Sequence, residues 1–235
     1  MELLWNGLVA ALDLIRRADP ELRSIAALSV AVSGTATVLA SLLGVPLGVL
    51  LHLKSRVLGW RALGLLVNTG MSLPPVLVGL VVTLLLWRTG PFGALQLLYT
   101  PSAMVLAQLV VALPLVAGFS GAALSLLDAD LALAMRADGA SDSRVGFELV
   151  RAAGASVLLA VAAGFGRAIS EVGASLMVGG NIVGQTRVLT TAIALETGRG
   201  EFALAIALGL LLLLLALVVN TALRVVSASD VARFG

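Results

Sequence analysis

The chain has 235 residues, 60% of them hydrophobic and only 12% charged. Its mean hydropathy is +1.09, whereas soluble domains carry roughly 25% charged residues, so this is an integral membrane protein. At about 20 residues per helical crossing, the length holds five or six spans with short loops and no separate soluble catalytic domain. The 15 Lys and Arg are scattered and the net charge is +2, which reads as topology signal and not as a nucleic-acid footprint. The lack of cysteine removes disulfides, thiolate nucleophiles and cysteine metal sites.

Residues 1–24 form the first segment. MELLWNGLVAALDLIRR has neither the basic start nor the small-residue cleavage site of a signal peptide, and is read as mature sequence. Its apolar stretch, interrupted by Asn6 and Asp13, is short for a span and predicts a helix lying in the membrane interface; a tilted crossing would make it a sixth span. Ile25 to Leu51 carries no charge and predicts the first full span, with Gly44 and Gly48 spaced for close helix approach. Lys54, Arg56 and Arg61 then mark a loop assigned to the cytoplasmic side.

Ala62 to Trp87 predicts a second span, broken where Asn68, Gly70 and Ser72 precede Pro74 and Pro75. Proline removes a backbone donor, so a turn of helix must be lost there. Asn68, Pro74 and Pro75 either line a pathway or gate, or form a packing kink. Pro91, Gly93 and Pro101 predict an exposed turn before a third span from about Ser102 to Leu126.

Residues 128–151, DADLALAMRADGASDSRVGFELVR, concentrate charge in a chain otherwise poor in it. Leu131 to Ala137 predicts a short helix, Asp138 and Gly139 a turn, and Ser141 to Arg151 a second helix with Asp142 at its positive dipole end. The spacing of Leu131, Met135, Val145 and Leu149 predicts that part of this surface is buried against a partner. Such a protrusion from a membrane protein is most simply a docking surface for something soluble.

Ala152 to Val178 predicts a fourth span, apolar except for Arg167 and Glu171, whose i,i+4 spacing allows pairing on one helix face; contact with a passing substrate is the alternative. Gly166, Ser170 and Ala174 continue a small-residue stripe. Gly179 to Glu201 would lie outside or dip back into the membrane. Its amides and hydroxyls, with one cation, suit passage of an anion without trapping it. Glu171, Ser175, Met177, Asn181, Arg187 and Thr190 are the pathway candidates here, against an ordinary polar loop. Phe202 to Leu223 is the fifth span, and residues 227–235 form a tail. The N-terminus would be outside and the tail inside.

Enzyme chemistry is missing. GVLLHLKS, from Gly48 to Ser55, approaches a phosphate-binding loop, but Leu53 stands where its second glycine must be. His52 is the sole histidine and has no companions for a metal site. No catalytic, cofactor or metal residue is assigned.

The polar loop resembles that of permease subunits of ABC importers, which carry E-A-A-x-x-x-G followed downstream by I-x-L-P. Aligned on Gly139, Ala134 falls on the second position, Ala140 and Ser141 follow the glycine, and Leu149 takes the isoleucine position. Leu133 replaces the glutamate, Met135 the second alanine, and Arg151 and Ala152 the leucine and proline. GRAISEVGASLMVGGNIVGQTRVLTTAI, from Gly166 to Ile193, is similar to the molybdate, tungstate and sulfate branch, most of all to tungstate permeases.

The resemblance implies an all-α, polytopic, type I importer permease in the cell membrane. Its transmembrane domain would span residues 25–226, with a coupling loop at 128–151. Leu131, Ala134, Met135, Ala137, Asp138, Gly139, Ala140 and Ser141 would then contact a separate ATPase. It further implies a homodimer, two ATPase subunits, an extracytoplasmic binding protein, membrane lipid around the spans, no cofactor and no nucleic acid. The rival readings are a secondary transporter or channel acting alone, which leaves the polar loop without a purpose, and a membrane anchor or assembly factor, which predicts no polar pathway.

Overall fold

A computed structural model describes residues 2–17 and 20–234. Met1, residues 18–19 and Gly235, which belong to the N-terminal segment and the tail, lie outside them. The described residues form eleven α-helices and no strand. In order they are α1 (Glu2–Arg17), α2 (Pro20–Leu53), α3 (Leu58–Met71), α4 (Pro75–Leu86), α5 (Pro101–Leu124), α6 (Ala129–Ala137), α7 (Asp142–Ala152), α8 (Gly154–Ile169), α9 (Gly173–Gly179), α10 (Leu189–Arg199) and α11 (Phe202–Phe234).

Three helices, α2, α5 and α11, are long and apolar enough to cross a membrane, and the count reaches five if the bent pairs α3–α4 and α7–α8 are each one span. The second predicted span therefore holds two separate helices, α3 and α4, with the break at 72–74. Pro74 takes an extended conformation as the N-cap and Pro75 opens α4, where a missing N–H costs nothing. The fourth predicted span departs further. It begins at Gly154 after an 81° bend from α7, and it is interrupted at 170–172 before α9. The N-terminal segment forms α1, with Trp5, Leu8, Val9 and Leu12 exposed and Gly7 against Ile206.

The chain divides into two units, one of residues 1–36, 74–109 and 166–218 and the other of 37–73, 110–165 and 219–235. In the first unit α4 packs along α9. A Cβ added at Gly79 would stand 2.7 Å from the Ala174 Cα, a backbone atom, so glycine is required there, and one at Gly173 would stand 2.8 Å from a Val76 methyl, which would have to move. A second cluster joins Leu22 and Ile25 of α2 to Leu189 and Ala192 of α10 and Leu208 of α11. Ser29, buried in α2, ties it together: its Oγ accepts the Leu189 N–H at 2.8 Å, satisfying one of the unpaired donors at the start of α10.

In the second unit, the close approach expected of Gly44 and Gly48 occurs between α2 and α5. A Cβ at Gly48 would meet the Ala117 carbonyl oxygen at 2.6 Å, and one at Gly44 would meet Val116 at 3.1 Å. The stripe of Gly166, Ser170 and Ala174 does not continue this pattern, because the helix ends at Ile169 and a Cβ at Gly166 would meet open space. Ala123, Leu124, Val145, Leu149, Ala153 and Val157 form the core under the polar loop.

α11 has a mean hydropathy of 3.1 across its apolar window, of which only 17% is buried within the chain. Its Leu213, Leu214, Leu217 and Val218 are exposed, as lipid-facing or partner-facing side chains of a span must be.

Candidate functional site

Two places collect the candidate residues. The first is the helical hairpin of α6 and α7. Asp128 caps α6 by accepting the Asp130 N–H at 2.9 Å, and Ser141 caps α7 by accepting the Arg144 N–H at 3.4 Å. Gly139, at φ +84°, supplies the left-handed residue after α6. Arg136 closes the turn with a 3.0 Å ion pair to Asp142, in line with the expected placement of Asp142 in the first turn of α7.

The hairpin is two-faced. Val145 and Leu149 are fully buried, but against this chain's own α2 and α5 ends, and Leu131, Met135 and Ala140 pack on the same cluster. The apolar spacing was expected to face a partner; it instead fastens the hairpin to its own unit, because Val49, Leu53 and Leu127 lie within reach. The surface left free is the opposite stripe of α6. Asp130, Leu133, Ala134 and Ala137 recur there at the i,i+3,i+4,i+7 spacing of one helical face, followed by exposed Asp138, Gly139 and Ser141. Leu133 is 60% exposed and Phe147, on α7, is 64% exposed.

The second place is the broken segment around α9. Glu171 is buried, and its Oε1 accepts the Ala174 N–H at 2.8 Å. The predicted pair with Arg167 does not form: the helix ends between the two residues, so the i,i+4 geometry is lost, and no ion pair among the described residues joins them. Thr190 donates to the Glu171 carbonyl at 3.0 Å. Ser175, fully buried, accepts from Gln108 Nε2 of α5 at 3.1 Å, and the Gln108 carbonyl oxygen has no partner among the described residues. Met177 sits beside Gly79, so α4, the helix that Pro75 opens, and Glu171, Ser175, Met177 and Thr190 gather at one place.

Asn181 follows the end of α9 in a left-handed conformation, φ +54°. Its side-chain carbonyl is buried without a partner. Thr186 organises this turn, accepting the Ile182 N–H at 2.9 Å and donating to the Gly179 carbonyl at 2.5 Å. Arg187 is not a freely accessible cation. It pairs with Glu21 at 3.6 Å with its side chain 12% exposed, and its Nε lacks a partner. Arg187 and Glu21 line a pocket of about 210 Å³ with Ile25, Glu196 and Leu208. Asn68 and Pro74 are exposed, the former on α3 in the other unit. His52 Nδ1 lies 3.2 Å from Ser125 Oγ, a local contact between helix ends.

Sequence reasoning missed Gln108 and Ser29. An amide inside the third span was a legible signal; Ser29 gave none, since small hydroxyls in apolar helices commonly bond their own preceding turn, as Ser29 also does with Ile25.

Long apolar helices, bent helix pairs and a helical hairpin make an all-α fold of the multi-pass membrane class, and that fold is shared with a solved structure. The match is to a chain of the MetNI methionine ABC transporter in inward-facing conformations, with a TM-score of 0.70 over 86% of this chain and 93% of that one at 20% identity. Residues 44–229 match the family model described as binding-protein-dependent transport system inner membrane component, and the chain belongs to that family.

Among relatives, it is 40% identical to the tungstate uptake system permease protein TupB of Peptoclostridium acidaminophilum, over 95% of this chain and 97% of that one. It is 42% identical to a probable anion ABC transporter permease protein of Haloferax volcanii, over 75% of this chain and 78% of that one. The protein is thus a transport subunit of the membrane and not an enzyme, and its family implies an ATPase and a substrate-binding protein as partners.

Proposed function

We propose that this chain is the membrane-spanning subunit of an ATP-driven importer of a tetrahedral oxyanion, tungstate in the first place, with molybdate and sulfate as its chemical neighbours. The observation that carries the reading is the 40% identity to a tungstate uptake permease over nearly the whole of both chains. Two copies would surround a pathway on a two-fold axis, and each would be gripped by one ATPase subunit.

The exposed stripe of α6, Leu133, Ala134 and Ala137, with Asp138, Gly139 and Ser141, is the proposed grip. Because Leu131 and Met135 pack on the core beneath, a force applied to that stripe is transmitted to the α2 and α5 ends without bending the hairpin. ATP-driven closure of the two ATPases would move both hairpins together and turn the spans from inward-open to outward-open as rigid bodies. On the pathway side, Pro75, Glu171, Ser175, Met177, Asn181, Arg187 and Thr190, with Asn68 and Pro74, are the proposed lining and gating residues. Amides, hydroxyls and backbone polar groups there would pass an oxyanion without holding it.

The test is reconstitution of the permease with its ATPase and binding protein in liposomes, with uptake of labelled tungstate and ATP hydrolysis read together. Leu133→Arg, on the exposed stripe, is expected to leave insertion and thermal stability unchanged while abolishing ATP-dependent uptake. Transport by the permease without the ATPase would refute the reading in favour of a self-sufficient carrier. Wild-type coupling in Leu133→Arg would remove α6 from the ATPase contact.

A further inference from the structure

The loop that closes α4 does more than connect two helices. Residues 87–100 join the candidate span α3–α4 to the candidate span α5, so they lie at a membrane surface whichever way the chain is oriented. Trp87, Phe92, Leu95 and Tyr99 are all exposed there. Aromatic side chains with an apolar body and a polar tip are enriched at that depth.

Beneath this rim is an open pocket of about 600 Å³, lined by Trp87, Arg88, Thr89, Gln96, Leu98 and Tyr99. No carboxylate occurs anywhere between Arg88 and Leu127, and no ion pair among the described residues engages Arg88. The pocket is therefore a positive, donor-bearing cup with an apolar edge.

Its walls are held rigidly. Phe92 N–H reaches back to the Leu85 carbonyl at 3.0 Å, and Gly90 N–H to that of Trp87 at 2.7 Å, covering the last carbonyls of α4. A Cβ at Gly90 or Gly93 would collide with carbonyl oxygens of that same turn. On the far side, Tyr99 N–H donates to Val178 at 2.8 Å, and the Tyr99 ring lies over Gly180, where an added Cβ would come within 2.9 Å. Gln96 and Tyr99 both take left-handed conformations, φ +51° and +63°. Side chains rarely occupy that region, and such strain persists where the surroundings over-determine it, typically at sites that bind.

We propose that this loop binds the phosphate head group of an anionic phospholipid. Arg88 would meet the phosphate oxygens, the Thr89 hydroxyl and the Gln96 amide would donate to the head group, and Trp87, Leu98 and Leu86 would line the start of the acyl chains. A free inorganic anion would use the cation and leave the apolar edge idle; a phospholipid uses both. The net positive charge favours an anionic head group over a zwitterionic one.

The experiment uses the detergent-purified transporter, permease with ATPase, stripped of lipid and examined by native mass spectrometry and thermal unfolding. Phosphatidylglycerol added back is expected to bind and to raise the unfolding temperature. Phosphatidylcholine, whose choline cation would stand near Arg88 and offset the charge of its phosphate, should bind about tenfold more weakly, and inorganic phosphate at equal concentration should change nothing. Arg88→Ala should weaken phosphatidylglycerol binding by about tenfold, and Gln96→Leu, an independent variant should Arg88→Ala fail to assemble, should weaken it as well. Arg56→Ala, on another loop, should leave it intact.

Equal stabilisation by inorganic phosphate would make the pocket a free-anion site and overturn the proposal. So would full phosphatidylglycerol binding by both Arg88→Ala and Gln96→Leu.

Discussion

Replacing Gly48 by alanine adds a single methyl group where α2 meets α5. That carbon would stand 2.6 Å from the Ala117 carbonyl oxygen, 2.9 Å from the Gly121 nitrogen and 3.0 Å from the Ser120 Cβ. Two of the three are backbone atoms, which cannot rotate away, so the helices themselves must part. Overpacking of this kind costs about 1–3 kcal/mol, and alanine's better helix propensity returns about 0.5–1 kcal/mol. The expected net destabilisation is about 0–2.5 kcal/mol, centred on ~1 kcal/mol, or roughly 2–4 °C at about 2–4 °C per kcal/mol for a chain of this size.

Gly34→Ala is the internal control. It lies on the same helix, where an added Cβ meets nothing within 4 Å, and should be neutral or stabilising by up to about 1 kcal/mol. Thermal unfolding of the two variants in one detergent compares them directly. If Gly48→Ala unfolds no earlier than Gly34→Ala, the α2–α5 contact is not the tight seam described, and the reasoning from Cβ distances fails.

Two further outcomes follow from single residues. Gly139 takes φ +84° with open space around it, so a substitution costs backbone strain and not a clash, about 1–2 kcal/mol for an ordinary residue. Gly139→Leu should insert normally and lose ATP-coupled uptake, with Gly139→Asn closer to wild type because asparagine tolerates that conformation; equal uptake by both variants and wild type would contradict a hairpin whose geometry matters. Ser29→Ala leaves the buried Leu189 N–H without its acceptor, a loss of about 1–3 kcal/mol. Ser29→Thr should recover most of it, and an alanine variant as heat-stable as wild type would show that the hydroxyl does not cap α10.

The parts of this fold that depend on neighbouring residues were legible in the sequence. Pro74 and Pro75 announced the break that separates α3 from α4, and Asp138, Gly139 and Ser141 announced the turn between α6 and α7. Gly44 and Gly48 announced a seam, though not that α5 fills it. Long-range choices were not legible. The apolar stripe of Leu131, Met135, Val145 and Leu149 called for a cover, and nothing in its spacing distinguished an external partner from the chain's own Val49 and Leu53.

Arg167 and Glu171 looked paired because no proline marks the break at 170–172; Glu171 instead capping α9 is a preference set by where that helix starts. Likewise the pairing of Arg187 with Glu21 could not be read from the sequence, because the two lie far apart in it. The candidate site was legible as a list of polar residues in apolar surroundings, and its connections, Gln108 to Ser175 and Thr190 to Glu171, came only with the fold.

The bond from Leu189 to Ser29 joins positions 160 apart in sequence. A growing polypeptide threading into the bilayer must hold its first long segment in wait until the ribosome has delivered almost everything else. Translation arrested before residue 189 would leave that hydroxyl unclaimed and the later helix unmade, so quality control at the insertion machinery should clear such nascent fragments quickly.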